Sequence, residues 1–253
     1  MVGTGRLSGT TAIVTGASAG IGEAIVKTFA REGASVVIAS RNLPKAQHVR
    51  DEITAAGGSA LAFLADVTRP KDVDALVQAT LEQFGTIDIL VNGVGGWEHV
   101  TPVFDIRDEE WDRIIALNLK SAFLCVRAVA RVMMNNKSGR IINIASQAGT
   151  GPNSVGNSIL PYACGKAGVI ALTKHLAKQL GPYGITVNTI SPGTTVTPHV
   201  LSVWDSETSG VAGFALNARQ IAVSALARLC RLCEFCVEFY WHRGRSRYHR
   251  RPH

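Results

Sequence analysis

Short apolar runs and helically patterned segments take turns along most of this chain, and that alternation limits the fold more than any other feature. TAIVTG (residues 11–16) runs into glycines, and GEAIVKTFAREG then carries apolar residues at helical spacing as far as Gly33. ASVVIAS is the next strand. LPKAQHVRDEITAAGG reads as helix, ALAFLAD as strand, PKDVDALVQATLEQFG as helix and IDILVN as strand. A long helix around DEEWDRIIALNLKSAFLCVRAVARVMM, the strand GRIINIAS, a helix carrying YACGK (residues 162–166) and the strand GITVNTISPG complete the series. Strands alternating with helices predict parallel βαβ units that cross right-handed, with helices on both faces of the sheet. The expected fold class is therefore α/β: a single-domain, doubly wound parallel sheet of the Rossmann type, with its ligand at the carboxyl ends of the strands.

Composition adds boundaries. A chain of 253 residues with 46% hydrophobic residues can bury a substantial core, yet no uncharged apolar run reaches the roughly 18 residues that span a bilayer. The start, MVGTGRLSGTTAIVTG, lacks the apolar core and cleavage site of a signal peptide. A soluble, cytoplasmic protein without a membrane partner is expected. The five cysteines are an odd number in such a chain and read as reduced thiols. Cys230, Cys233 and Cys236 follow a helix face and lack an evident fourth ligand, so no metal is expected. Of the formal charge of +7, the segment from Arg228 onward contributes seven arginines less two glutamates, or +5, which leaves +2 for the first 227 residues. The basicity belongs to a tail, and no nucleic-acid partner is expected of the body.

Two constellations carry chemistry. TGASAGIG places Gly16, Gly20 and Gly22 between the first strand and the first helix, where glycines permit a tight turn and close approach to a pyrophosphate at a helix N-terminus. In YACGK, Tyr162 and Lys166 lie four apart and so share one helix face. A phenol with a pKa of about 10 is a poor proton donor at neutral pH unless a fixed positive charge favours its anion. Lys166 is placed to supply that charge, although such pairs also occur on ordinary helix surfaces.

Taken with ADV (residues 65–67), NGVGG (92–96), LNL (117–119), INIAS (142–146) and PGTTVT (192–197), these motifs resemble the short-chain dehydrogenase/reductase family over about residues 7–225. The resemblance is to 3-oxoacyl-thioester reductase-like members. It implies an NAD(P)-dependent oxidoreductase that moves a hydride between the cofactor and a carbonyl or secondary alcohol substrate. Tyr162 would be the acid/base, Lys166 would hold the nicotinamide ribose and lower the tyrosine's pKa, and Ser146 would hydrogen-bond the substrate oxygen. Asn118 would support a water relay behind Lys166. The same resemblance assigns cofactor contacts to Thr15, Gly16, Ser18, Gly20, Ile21 and Gly22 in the glycine loop. Further contacts fall to Asp66 and Val67 at the adenine, to Asn92 and Gly93 on the fourth strand, and to Pro192, Gly193 and Thr197 near the carboxamide. Tyr162 and Lys166 also belong to that set.

Cofactor choice is read where the second strand ends in ASRN: Ser40 and Arg41 suit a 2′-phosphate, so NADP(H) is expected over NAD(H). The stretch from Ser146 to Tyr162 is about three residues longer than usual in the family, with Ser154 and Ser158 as competitors for the serine role. A substrate loop at about residues 194–220, rich in Val, Leu, Trp and Phe, suggests an apolar substrate body. The family also implies a homodimer or homotetramer paired through the helix at residues 107–134 and the Tyr162 helix, using Ile114, Ala122 and Val126. Beyond a catalytic domain at residues 1–227, residues 228–253 turn to arginine, histidine and aromatics where the family continues with a helix and a last strand. That last strand is expected to be missing or altered, by a frame change or by a basic arm. The alternative to an enzyme is an inactive or cofactor-binding-only relative with a damaged C-terminus.

Overall fold

Six strands form one all-parallel sheet in the order β3-β2-β1-β4-β5-β6. They are β1 (Thr11–Thr15), β2 (Ser35–Ser40), β3 (Ser59–Leu64), β4 (Ile89–Asn92), β5 (Gly139–Ile144) and β6 (Ile185–Ile190). The helices between them are α1 (Gly20–Arg31), α2 (Leu43–Ala55), α3 (Pro70–Phe84), α4 (Asp108–Ile115), α5 (Ser121–Asn136) and α6 (Leu160–Leu180). This computed structural model describes residues 5–151, 159–193, 195, 197 and 198. The expected last strand, the tail, most of the substrate loop, and Ser154 and Ser158 lie outside the described residues.

Each local decision has a visible cause. Pro44, Pro70 and Pro161 stand in the first turns of α2, α3 and α6, where a missing N–H costs nothing. Asn42 caps α2 by accepting the Lys45 N–H at 3.0 Å, and α3 ends on Gly85 in the left-handed region, φ 76°. The order of the strands reverses between β1 and β4, which opens a crevice at their carboxyl ends. One core lies between the sheet and α1 and α2, around Val14, Val26, Phe29 and Ile38. The other lies beneath α3, α5 and α6, around Ile13, Leu76, Leu90, Met133 and Ile141.

A buried polar seam ties the strand ends to α6. Asn92 donates from Nδ2 to Asn143 Oδ1 at 2.8 Å, Asn143 donates to Thr173 Oγ1 at 2.9 Å, and Thr173 donates to the Val169 carbonyl at 2.8 Å. Such a chain fixes register as well as distance.

The long helix is not uniform. Residues 116–120 form a π turn between α4 and α5, and the Ser121 N–H reaches back to the Ala116 carbonyl. The faces expected to pair with a second copy are corrected here. Ile114, Ala122 and Val126 are all buried inside this chain's own cores. The large apolar side chains these helices leave exposed are Trp111 and Phe123, at 37% and 43%. Among the described residues, no helix is long and apolar enough to cross a membrane.

Candidate active site

Tyr162 and Lys166 both face inward because α6 carries its buried residues on one stripe, Tyr162, Lys166, Val169 and Thr173. Tyr162 is 9% exposed and Lys166 3%. The Lys166 ammonium donates to the Ile144 carbonyl at the end of β5, at 2.8 Å. It lies 5.7 Å from the centroid of the Tyr162 ring. Ser146, just past β5, accepts from the Ala148 N–H at 3.2 Å, and its hydroxyl is near enough to the Tyr162 oxygen to favour the phenolate. The three residues expected to act together are thus brought together.

The electrostatics differ from the expectation that Lys166 depresses the tyrosine's pKa. Burial pushes the Tyr162 phenol above its ordinary value of 10.0, and the Ser146 hydrogen bond only partly opposes that. Burial also pushes Lys166 down from 10.5 to about 8. Desolvation disfavours both charged forms. Between about pH 8 and 10.5 the unfolded chain holds more of the lysine proton than the folded one, so stability rises with pH through that window. Below pH 8 the folded state carries the whole penalty, about 3 kcal/mol. Lys166→Met is therefore expected to be more stable than the parent at pH about 7.5, and to lose about 1 kcal/mol of that advantage by pH about 9. Urea unfolding of both proteins at the two pH values measures it, and the stability that Cys125, pushed up to about 12, begins to lose near pH 9 is shared by both proteins and cancels. A pH-independent difference would mean that burial does not depress Lys166 and that it stays fully charged in the folded protein across this range.

Asn118 sits in the π turn and is 1% exposed. Its Nδ2 donates to the Gly96 and Ile114 carbonyls, both at 2.9 Å, and its Oδ1 accepts the Gly96 N–H at 3.0 Å. Both amide hydrogens are spent. The side chain clamps the loop after β4.

The glycine loop has the shape a pyrophosphate needs. Gly16 adopts φ +68° beside the Gly93 carbonyl, and a Cβ on Gly22 would stand 2.3 Å from the Gly16 oxygen. The N-terminus of α1 thus lies hard against the loop, and only bare backbone fits, so these residues suit the dinucleotide cofactor. Ile21 packs on the α1 and α2 core. Thr15 is spent on structure, accepting the Gly93 N–H at 3.1 Å. Thr197 approaches Gly20, whose Cβ would lie 3.1 Å from its methyl group. Pro192 accepts the Gln147 N–H at 3.0 Å, and a Cβ on Gly193 would lie 3.2 Å from the Gln147 side chain, so both border the Ser146 turn.

At the far end of the crevice, the Ser18 and Ser40 hydroxyls are 2.7 Å apart and Arg41 is exposed. The Asp66 carboxylate accepts from Thr68 N–H and Oγ1 at 3.0 and 2.7 Å. Burial opposes its ionisation, but the Thr68 hydrogen bonds and the Arg41 and Arg69 charges hold it below the usual value. Val67 packs its side chain into the core, and Asn92 donates from Nδ2 to Asn143 while its Oδ1 is buried without a hydrogen-bond partner among the described residues. Sequence reasoning passed over Trp97, whose ring centroid lies 5.0 Å from that of Tyr162, the planes tilted by 55°. The available signal was a large aromatic residue directly after the glycines of NGVGG.

A crevice built from a glycine loop, a serine at a strand end and a tyrosine-lysine helix face defines a class of nicotinamide-dependent oxidoreductases. Residues 10–208 match the model of the short chain dehydrogenase family, and the chain belongs to that family. It is 41% identical over 194 residues to the hydroxy(phenyl)methylsuccinyl-CoA dehydrogenase subunit BbsD of Thauera aromatica, covering 77% of this chain and 75% of that one. It is 36% identical over 222 residues to the 3-oxoacyl-acyl-carrier-protein reductase FabG of Escherichia coli strain K12, covering 86% and 88%. Among solved structures, 7α-hydroxysteroid dehydrogenase complexed with NADH and 7-oxo glycochenodeoxycholic acid superposes with a TM-score of 0.75 at 39% identity, covering 80% of this chain and 77% of that one.

Proposed function

We propose that this protein is an NADP(H)-dependent reductase of ketones, or dehydrogenase of the matching secondary alcohols, with its catalytic machinery in residues 1–227. The observation that carries the reading is the Ser146, Tyr162 and Lys166 set beside a bare-backbone cofactor loop. The bound nicotinamide supplies or accepts the hydride. Tyr162 passes the proton to or from the substrate oxygen, and Ser146 donates a hydrogen bond to that oxygen. Lys166 holds positive charge beneath the phenol, and Asn118 acts indirectly by fixing the loop that faces them. The relatives' names point to ketones next to acyl thioesters or ring systems, and an apolar ketone of that kind is the substrate class we assign. NADPH oxidation by the full chain against a panel of 3-oxoacyl thioesters and cyclic and aryl ketones tests the reading. Cofactor binding without turnover across the panel would favour a binding module instead.

NADP(H) is proposed over NAD(H) because Arg41 is exposed beside Ser40 and close enough to Asp66 to act on its charge. Arg41→Ala is expected to weaken NADPH by roughly tenfold to a hundredfold, the worth of a charged phosphate contact of about 1.5–3 kcal/mol, and to leave NADH nearly unchanged. Fluorescence titration with both cofactors reads this directly, and equal losses would remove the phosphate role.

A homodimer or homotetramer is proposed through α4 and α5. Their exposed Trp111 and Phe123 offer apolar contact. The exposed acids Asp108, Glu109 and Asp112 on α4 complement Lys120 at the end of the π turn and Arg127 and Arg131 on α5 when two copies run antiparallel. Light scattering should give a multiple of the 26.9 kDa chain mass, falling toward that mass in Phe123→Glu. A monomeric parent would overturn the assignment.

A further inference from the structure

The indole of Trp97 stands beside the Tyr162 ring and is only partly buried. It packs with Ile114, Ala148, Ile159 and Ala163 into a small apolar cluster separate from the two main cores. The backbone that carries it is held on both sides. Asn118 takes both the N–H and the carbonyl of Gly96, while Glu98 is bonded to Arg113 and Thr101 to Glu110, both on α4. An aromatic side chain fixed in this way cannot swing aside cheaply, and its ring stands 5.0 Å from that of Tyr162, beside which a substrate carbonyl would have to sit.

We propose that Trp97 is a specificity-determining residue whose indole forms a wall of the substrate site and favours ketones with a flat aromatic group next to the carbonyl. The proposal rests on the ketone-reductase reading above and sharpens its substrate class. An aryl ring can lie offset or edge-on against the indole at a distance like that already adopted by Tyr162, whereas a flexible alkyl chain gains less from a rigid flat wall and loses more freedom on binding. The preference follows from contact with the substrate body and leaves the proton-transfer groups unaltered.

Acetophenone and methyl hexyl ketone have the same number of carbons and the same methyl ketone group, so they isolate the ring. Their dissociation constants are measured by calorimetry on the full chain with excess NADP+, where no turnover occurs, for the parent, Trp97→Phe and Trp97→Leu. The parent should bind acetophenone more tightly, Trp97→Phe should keep that order, and Trp97→Leu should weaken acetophenone by about tenfold while changing methyl hexyl ketone little. In turnover with NADPH, the loss in Trp97→Leu should fall on KM more than kcat, with the pH profile of kcat unchanged. Equal weakening of both ketones, or no weakening of acetophenone, overturns the proposal. A shifted pH profile also overturns it, because Trp97 would then act through Tyr162. Because the calorimetry needs no turnover, a parent that binds acetophenone but reduces neither ketone would sink the reductase reading and leave the indole wall standing.

Discussion

Tyr162→Phe is expected to lower ketone turnover by roughly 10²–10⁴-fold, the usual worth of a positioned proton donor, with cofactor affinity almost unchanged. Among the described residues, the phenol is the group in the crevice best placed to carry the proton. Ser146 bonds to it and bears a hydroxyl far too weak as an acid to replace it, and the Lys166 ammonium is committed to the Ile144 carbonyl. The ring itself survives the change, so packing against Trp97 and the face presented to Lys166 persist. What folding loses is the contact between the phenol oxygen and the Ser146 hydroxyl, at most about 1 kcal/mol. Three measurements separate the effects: single-turnover reduction for chemistry, cofactor fluorescence for binding and thermal unfolding for stability. Undiminished turnover would remove Tyr162 from the mechanism. Loss of turnover together with loss of cofactor binding would move its role from chemistry to the cofactor site.

Much of this architecture is legible because parallel strands buried on both faces must be apolar throughout. Ile13, Val37, Leu90 and Ile141 mark strands without needing neighbours, and the helices between them declare themselves by their stripes. The Ser146, Tyr162 and Lys166 set is legible for a different reason. Each residue stands at a boundary, at a strand end or in the first turns of a helix, where the chain's own punctuation places it. Pro161 fixes the start of α6 and hence the direction of both Tyr162 and Lys166.

What escaped the sequence depends on contacts between distant segments. A π turn leaves no mark in a pattern of apolar residues, so the engagement of Asn118 with Gly96 could not be read from LNL. Ile114, Ala122 and Val126 looked like a surface stripe because three layers of helix and sheet share similar apolar spacing. Only packing reveals that the chain consumes them itself. The direction of the Tyr162 shift was misjudged for a related reason. Spacing shows that a lysine is one turn away, but the desolvation that raises the phenol is a property of everything packed around the pair.

Gly95→Ala is expected to be the most damaging single methyl in the site. A Cβ there would lie 2.5 Å from Lys166 Nζ and 2.6 Å from Asn118 Oδ1. Ends of long side chains ordinarily yield to such contacts, but here neither can do so freely. Lys166 Nζ is buried and held by the Ile144 carbonyl, and Asn118 Oδ1 is held by the Gly96 N–H. Moving the ammonium breaks a charged hydrogen bond worth about 1.5–3 kcal/mol, and moving the amide leaves the Gly96 groups unpaired at about 1–3 kcal/mol more. Turnover should therefore fall at least about a hundredfold, through displacement of Lys166 and of the loop bearing Trp97, with an unfolding free energy lower by a few kcal/mol. Gly181→Ala is the control, since Gly181 adopts φ −52° at the end of α6 and a Cβ there meets nothing within 4 Å. That change should leave activity intact, with little gain in stability because a Cβ directly before Pro182 disfavours the helical conformation that Gly181 adopts. Comparable activity in Gly95→Ala and Gly181→Ala would show that Lys166 and Asn118 are free to move, and the clamped site described above would have to be abandoned.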